Sequence, residues 1–342
     1  MPMVHKLVGE AEVVATERDT TKVADVANLR VAFATSAGIA AAVRGISFSI
    51  ARGETVGLVG ESGSGKSVTA LSLMKLLPQR GVRIEADRLT VMGTEVMTAG
   101  AKDLQELRGG RVAMVLQNPL RSLNPTKRIG GQIGEAIHKH ESLSPNEVKL
   151  KVVDLLGRVG IPEPERRVRE YPHQFSGGQR QRIMIAMAIA CSPGLLIADE
   201  PTTALDVTTQ AQIFDLILDL RAELGMAMFL ITHDLSVVAR VCDRVLVMYA
   251  GRLIETAPAR GLFRRPLHPY TAGLLASIPR IDHPDREIAP IRGTPLDATE
   301  RVEGCAFRPR CPYSFELCSE QPSLDAVGPD RLVACWRSQK GL

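Results

Sequence analysis

Apolar residues fall along this chain in short unbroken runs, separated by stretches in which they recur every three or four positions. The runs are "ETVGLVG" (54–60), "RVAMVLQ" (111–117), "LLIADE" (195–200), "MAMFLIT" (226–232) and "RVLVMYAG" (244–251). A strand with one wet face alternates apolar and polar residues. These runs do not, so they read as strands buried on both faces, the pattern of a parallel sheet covered by helices. Between them "SVTALSLMKLL" (67–77), stopped by Pro78, and "TTQAQIFDLILDLRAEL" (208–224), followed by a Gly225 C-cap, carry helical spacing. Residues 1–24 are polar and aperiodic and read as a flexible N-terminal tail. After residue 262 the chain is Pro-rich and broken, with one short helix near Tyr270–Ser277. The pattern predicts a main α/β domain over 25–262 and a small loop-rich domain over 263–342.

Composition narrows the function classes. Hydrophobic residues make up 45% and charged residues 23%, the balance of an ordinary soluble globular protein. A net charge of +4 and only 4% aromatics argue against a nucleic-acid partner. The N-terminus lacks a secretory signal, and the longest apolar stretch, "IMIAMAIAC" (183–191), falls short of a membrane span. The expected setting is therefore a reducing compartment, where thiols stay free.

The stretch "GESGSGKS" (60–67) follows an expected strand and opens an expected helix. That is the context a GxxxxGK[ST] phosphate loop requires. Gly60, Gly63 and Gly65 let the backbone wrap a polyphosphate, and successive amides at a helix start form an anion nest. Lys66 supplies a point charge for the β- and γ-phosphates, and the Ser67 hydroxyl can ligate Mg²⁺.

A hydrolytic partner for the loop lies at 195–200. In a parallel sheet the carboxyl ends of the strands share one edge with such a loop. Asp199 is placed there to hold the Mg²⁺ shell, and Glu200 to orient or polarise a water for in-line attack. His233 ends another strand on the same edge. In "FSGGQRQR" (175–182), Ser176, Gly177 and Gly178 open a helix that is apolar on every side and so buried. Arg180 and Arg182 beside that bare glycine start suit an anion approaching the helix end.

Taken in order, "GESGSGKS", "LQNP", "FSGGQRQR", "LLIADEP", "ALD" and "ITHD" resemble the nucleotide-binding subunit of ATP-binding-cassette (ABC) transporters. The resemblance implies an α/β fold of the P-loop NTPase ABC cassette type: a parallel-sheet core with antiparallel β and helical subdomains, followed by the small Cys-containing C-terminal domain. It also implies an ATPase with ATP and Mg²⁺ as ligands. Carried over residue by residue, Gly60, Glu61, Ser62, Gly63, Ser64, Gly65, Lys66, Ser67 and Val68 would bind the nucleotide. Ser67, Gln117 and Asp199 would hold Mg²⁺. Glu200, His233 and Gln117 would be catalytic, Gln117 also coupling the site to the membrane subunits. Ser176, Gly177, Gly178 and Gln179 would form the signature that closes on the γ-phosphate held by an opposing subunit. Asp206 would belong to the D-loop, and Phe33 would stack on adenine.

Four of the six cysteines, Cys305, Cys311, Cys318 and Cys335, are spaced C-x₅-C-x₆-C-x₁₆-C. In a reducing compartment that cluster argues for metal over disulfides. A Cys₄ set suits Zn²⁺ and an iron–sulfur cluster equally, and the CxxC pairs usual in structural zinc sites are missing. Residues alone leave cluster, zinc or no metal open. Cys191 and Cys242 lie in apolar stretches and read as core residues.

Finally, "LQNPLRSLNP" (116–125), "RRPLHPYTAGLLASIP" (264–279) and the closing "GCAFRPRCPYSFELC" resemble the oligopeptide/dipeptide permease branch of the ABC family. The resemblance implies a subunit that powers import of di- or oligopeptides, peripheral on the cytoplasmic face of a bacterial inner membrane. Its partners would be a second, related ATPase subunit, two transmembrane permease subunits and, through them, an extracytoplasmic substrate-binding protein. Some members of this branch hold a [4Fe–4S] cluster at these cysteines, which favours the cluster with Zn²⁺ as alternative. Import of nickel or another small solute, or a soluble ABC ATPase outside transport, are the competing functions.

Overall fold

The computed structural model describes residues 21–116, 122–202, 205–277, 291–300 and 302–341. Gln117 and most of the expected N-terminal tail lie outside the described residues. Within them, β1 (Lys22–Thr35) already begins inside the stretch expected to be a tail, because Val23 and Ala24 are buried. It pairs antiparallel with β2 (Gly38–Ala51). Next come β3 (Thr55–Val59), the glycine-rich loop and α1 (Lys66–Leu73). Strands β4 (Val82–Glu85), β5 (Arg88–Val91) and β6 (Thr94–Glu95) return to β1 and complete a five-stranded sheet.

The expected helix 67–77 stops at Leu73, four residues early. Lys75 turns the chain through a left-handed φ of 51°. The Arg108 guanidinium then takes up the carbonyls of Met74 and Lys75. That side chain arrives from α2 (Ala101–Leu107) and its C-cap, a tertiary cause that local spacing does not contain.

After β7 (Val112–Val115) a helical layer follows, formed by α3 (Ile129–His138), α4 (Pro145–Arg158), α5 (Pro164–Arg167) and α6 (Gly177–Ile189). The chain then alternates through β8 (Leu195–Asp199), α7 (Val207–Leu224), β9 (Ala227–Ile231), α8 (Leu235–Val241), β10 (Arg244–Tyr249) and β11 (Arg252–Pro258). Strands β10-β3-β9-β8-β7 are neighbours in that order and all parallel. Their continuous hydrophobicity has a direct cause. Leu195 and Ile197 join the core shared with the five-stranded sheet, while Leu196 and Ala198 join the core shared with the helices.

The C-terminal segment adds α9 (Ala259–Arg264), α10 (Pro269–Ala276), β12 (Asp325–Gly328), β13 (Arg331–Val333) and α11 (Trp336–Gln339). It is not set apart from the main sheet. β13 pairs antiparallel with β11 and β12 with β13, so the parallel core grows into an eight-stranded sheet. Phe307 and Tyr270 sit in the helix-side core, their rings 5.4 Å apart and each within 5.4 Å of Tyr249. Among the described residues, no helix is long and apolar enough to cross a membrane.

Candidate active site

β3 delivers the chain to Gly60 at the carboxyl edge of the sheet. Gly60 has a φ of +154°, and a Cβ there would collide with the Met248 carbonyl of β10, so only glycine lets the loop leave the sheet this closely. Lys66, 7% exposed, donates from Nζ to the carbonyls of Gly60 and Glu61, both at 2.8 Å. Burial lowers the Lys66 amine from its ordinary value, while Glu200, Asp199 and Glu61 oppose the shift. The first turn of α1 then presents Ser67, whose hydroxyl donates to Asp199 Oδ1 at 3.1 Å across the gap between α1 and β8.

Asp199 is 7% exposed, and burial raises its carboxyl above the usual range, only partly offset by the Ser67 hydrogen bond. A buried carboxylate facing a hydroxyl at the base of a phosphate loop is the donor set a hard divalent cation prefers. Glu200, next in the chain, holds a left-handed φ of 48° and donates its N–H to the Ile231 carbonyl of β9. Left-handed backbone at a non-glycine residue is strained and concentrates at functional sites. Glu200 Oε1 lies 3.4 Å from Nδ1 of His233, whose side chain is 69% exposed. Ser67, Asp199, Glu200 and His233 thus meet along one edge, with Lys66 beside them.

The other expected residues form a second group. Ser176 caps α6, its hydroxyl accepting from the Gln179 N–H, and the Gln179 side-chain Oε1 in turn accepts from the Ser176 N–H. Gly177 and Gly178 lie against Leu205 and Thr209 at the start of α7. Asp206 is the N-cap of that helix, accepting from the Thr209 N–H at 2.9 Å, which lowers its carboxyl. The two arginines of α6 are spoken for. Arg180 donates to the Pro172 carbonyl and Arg182 to that of Val159, so they brace the helix start instead of waiting for an anion. Phe33 lies in β1, paired with Ala40 and Val82 and packed partly against the N-terminal core.

Two residues to which the sequence assigns no role reach the loop from the C-terminal segment. Arg310 grips Glu61 with two hydrogen bonds, Nη1 to Oε2 at 2.7 Å and Nη2 to Oε1 at 3.0 Å. The Tyr270 hydroxyl accepts the Glu61 N–H at 2.8 Å. Glu61 therefore commits both its carboxylate and its amide away from the expected phosphate cradle. Both lie in stretches that carry the permease-branch resemblance, but only the tertiary fold brings them to the loop.

All six cysteines are free. Cys305, Cys311, Cys318 and Cys335 line one cavity of about 20 Å³ together with His268, Phe307 and Trp336. Burial pushes the Cys305 thiol up to about 11, and the neighbouring thiols push it further in the same direction. Cys311 is raised for the same reasons. Among the described residues, however, no three His, Cys, Asp or Glu side chains converge as the ligand set of a metal ion. Of the two cysteines expected in the core, Cys242 is buried, its thiol raised to about 12, whereas Cys191 is only half-buried.

The profile of the family described as ABC transporter matches residues 43–203. That described as the oligopeptide/dipeptide transporter C-terminal region matches residues 254–318. The oligopeptide transport ATP-binding protein OppD of Salmonella typhimurium is 48% identical over 313 residues, covering 92% of this chain and 93% of that one. The dipeptide transport ATP-binding protein DppD of Bacillus subtilis is 46% identical over 316 residues, 92% and 94% of the two chains. Among solved structures, the dimeric post-hydrolysis state of the ATP-binding cassette MJ0796 bound to ADP and Pi matches with a TM-score of 0.62 at 26% identity. That match covers 70% of this chain and 99% of that one.

Proposed function

The chain belongs to the ABC transporter family as an ATP-binding subunit of the oligopeptide/dipeptide branch, and on that premise we propose that its ATP hydrolysis powers the import of di- and oligopeptides. The observation that carries the mechanism is the Ser67–Asp199 hydrogen bond beside Glu200 and His233. It joins the phosphate loop to the carboxylate-bearing strand end, so nucleotide and attacking water share one edge. ATP lies along residues 60–68, its β- and γ-phosphates facing the loop amides and Lys66. Ser67 and Asp199, with Gln117 as a further expected ligand, would hold Mg²⁺, which would supply charge neutralisation on the β- and γ-phosphates. The partly buried Glu200 carboxylate orients the attacking water and draws off its proton, and His233, 3.4 Å away, keeps that carboxylate aimed.

Gly177 and Gly178 lie against Leu205 and Thr209, which sets the signature beside Asp206, the other residue expected to work across two subunits. The similarity to a dimeric cassette bound to ADP and Pi supports the same arrangement. In this reading the partner is a related ATPase chain, and the pair drives two transmembrane permease subunits fed by an extracytoplasmic binding protein. The chain is peripheral on the cytoplasmic face of the inner membrane. Phe33 stacks on the adenine, and Asp206 links the two nucleotide sites.

The four cysteines of the C-terminal segment would hold a soft metal centre, a [4Fe–4S] cluster with Zn²⁺ as the competing occupant, only after closing from an arrangement in which no three of them converge. Support comes from four free thiols on one cavity wall. Ligation requires the thiols to lose their protons and draw together, which a bound cation drives. Metal analysis of anaerobically purified protein, with its visible absorption near about 400 nm, separates cluster from zinc.

The central test is Glu200→Gln. Turnover of the assembled transporter falls by about 10²–10⁴-fold, the range of a lost general base, while ATP is still bound. Undiminished hydrolysis would remove Glu200 from the chemistry.

A further inference from the structure

Glu61, the second residue of the glycine-rich loop, is fastened to the C-terminal segment at three points. Arg310 gives two charge-assisted hydrogen bonds to its carboxylate, and Tyr270 accepts its amide proton. Both anchors are rigid. The Arg310 side chain is 5% exposed, lies over the rings of Tyr249 and Phe307 at 5.8 and 5.9 Å, and donates from Nε to the Arg292 carbonyl at 2.9 Å. Tyr270 is fully buried among the same aromatic rings. On the loop side, the Glu61 carbonyl accepts from Lys66 Nζ at 2.8 Å. The residue that Arg310 holds is therefore one of the two that hold the charged amine.

Glu61 is also an electrostatic liability. A carboxylate immediately before the amides of residues 62–67 repels a polyphosphate unless a cation neutralises it. The bidentate guanidinium does so, at a site where the Glu61 side chain is only 23% exposed and water screens poorly.

We propose that Arg310 is a positioning residue for ATP. It acts through Glu61, neutralising that carboxylate and pinning the start of the phosphate loop. The thiol-bearing segment that carries Arg310 thereby sets the loop's affinity for nucleoside polyphosphates. The inference rests on the reading of residues 60–68 as the ATP site. One peptide bond separates Arg310 from Cys311, whose thiol lines the cavity, so a shift of the thiol segment reaches the loop through a single side chain.

The test is equilibrium binding of a fluorescent ATP analogue, and of ADP by competition, to the full-length chain. Four forms are compared: wild type, Arg310→Met, Glu61→Gln and the double variant, each checked for folding by circular dichroism. Arg310→Met leaves Glu61 unpaired and weakens ATP binding about tenfold. Adding Glu61→Gln restores most of that loss, because the lone carboxylate is gone. ADP, with less phosphate charge, is weakened less than ATP. If Arg310→Met does not fold, the smaller polar change Arg310→Gln replaces it, with the same expected rescue. Unchanged ATP affinity in the arginine variant overturns the proposal. So does a loss that Glu61→Gln does not restore, which marks a merely structural arginine. A wild-type chain that binds no ATP overturns instead the reading on which the proposal rests.

Discussion

Asp199 at the phosphate-loop edge and His268 beside the thiol-lined cavity are both buried, at 7% and 2% exposure, and burial drives them in opposite directions. The Asp199 carboxyl is raised, because a negative charge is costly there. His268 is lowered to about 3 for the mirror-image reason, and its Nδ1 accepts the Tyr270 N–H at 3.0 Å as a neutral ring. The two therefore contribute to stability on opposite sides of the pH scale. For Asp199 the contribution is present below the ordinary carboxyl pKa and is lost as pH rises through the raised value. For His268 it is present above the ordinary imidazole pKa and is lost as pH falls toward about 3. The Asp199 charge is only partly offset, by Ser67 and Lys66, whereas the His268 ring stays neutral beside the buried Glu255 carboxylate, whose charge Arg331 pairs.

Asp199→Asn tests the sharper half of that contrast. Turnover is lost by about 10²-fold or more, as for other groups that stabilise developing charge. The empty chain becomes more stable at neutral pH by on the order of 1 kcal/mol, since a buried charge has been removed. Thermal unfolding without nucleotide reads the gain, and a lower melting temperature than wild type contradicts the account of Asp199.

Two glycines make a second matched pair. Gly60 opens the phosphate loop and Gly304 opens the thiol segment; at each, a Cβ would strike backbone, the Met248 carbonyl in one case and Cys318 and Ser319 in the other. Gly60→Ala and Gly304→Ala each cost about 1–3 kcal/mol through strain at a special φ. Gly60→Ala shows it mainly as lost nucleotide binding, and Gly304→Ala as faster reaction of the four clustered thiols with a thiol reagent. If the two variants swap these readouts, the regional assignment fails.

The remaining prediction concerns acid and leaves neutral-pH turnover untouched. Between pH 7 and pH 5 the wild-type chain loses about 2 kcal/mol through His268, and His268→Gln removes that loss. Denaturant unfolding at the two pH values measures it; equal slopes in both proteins exclude His268 as the source.

Much of this was legible in local pattern. The parallel strands announced themselves by apolar runs, and Gly225 caps α7 in the left-handed conformation its position suggests. Lys66, Ser67, Asp199, Glu200 and His233 came together because a parallel sheet places strand ends on one edge. Other features had no local signal. α1 ends where a guanidinium from a later helix reaches its carbonyls. Arg180 and Arg182 looked like anion ligands until their carbonyl partners were known. Glu61 sits inside a phosphate-binding motif yet faces away from it.

The sequence by itself determined the parallel strands, the glycine-rich loop and the carboxylates Asp199 and Glu200 at a strand end, since each depends on residues a few positions apart and on a periodicity that survives in one dimension. Only the tertiary structure decided that the C-terminal segment continues the same sheet through β13. It alone brought four thiols spread over 31 residues to one cavity. It alone set Arg310 on Glu61 across 249 positions of chain. Such contacts are fixed by how the cores pack and where hydrogen bonds must be satisfied, and neither quantity is local.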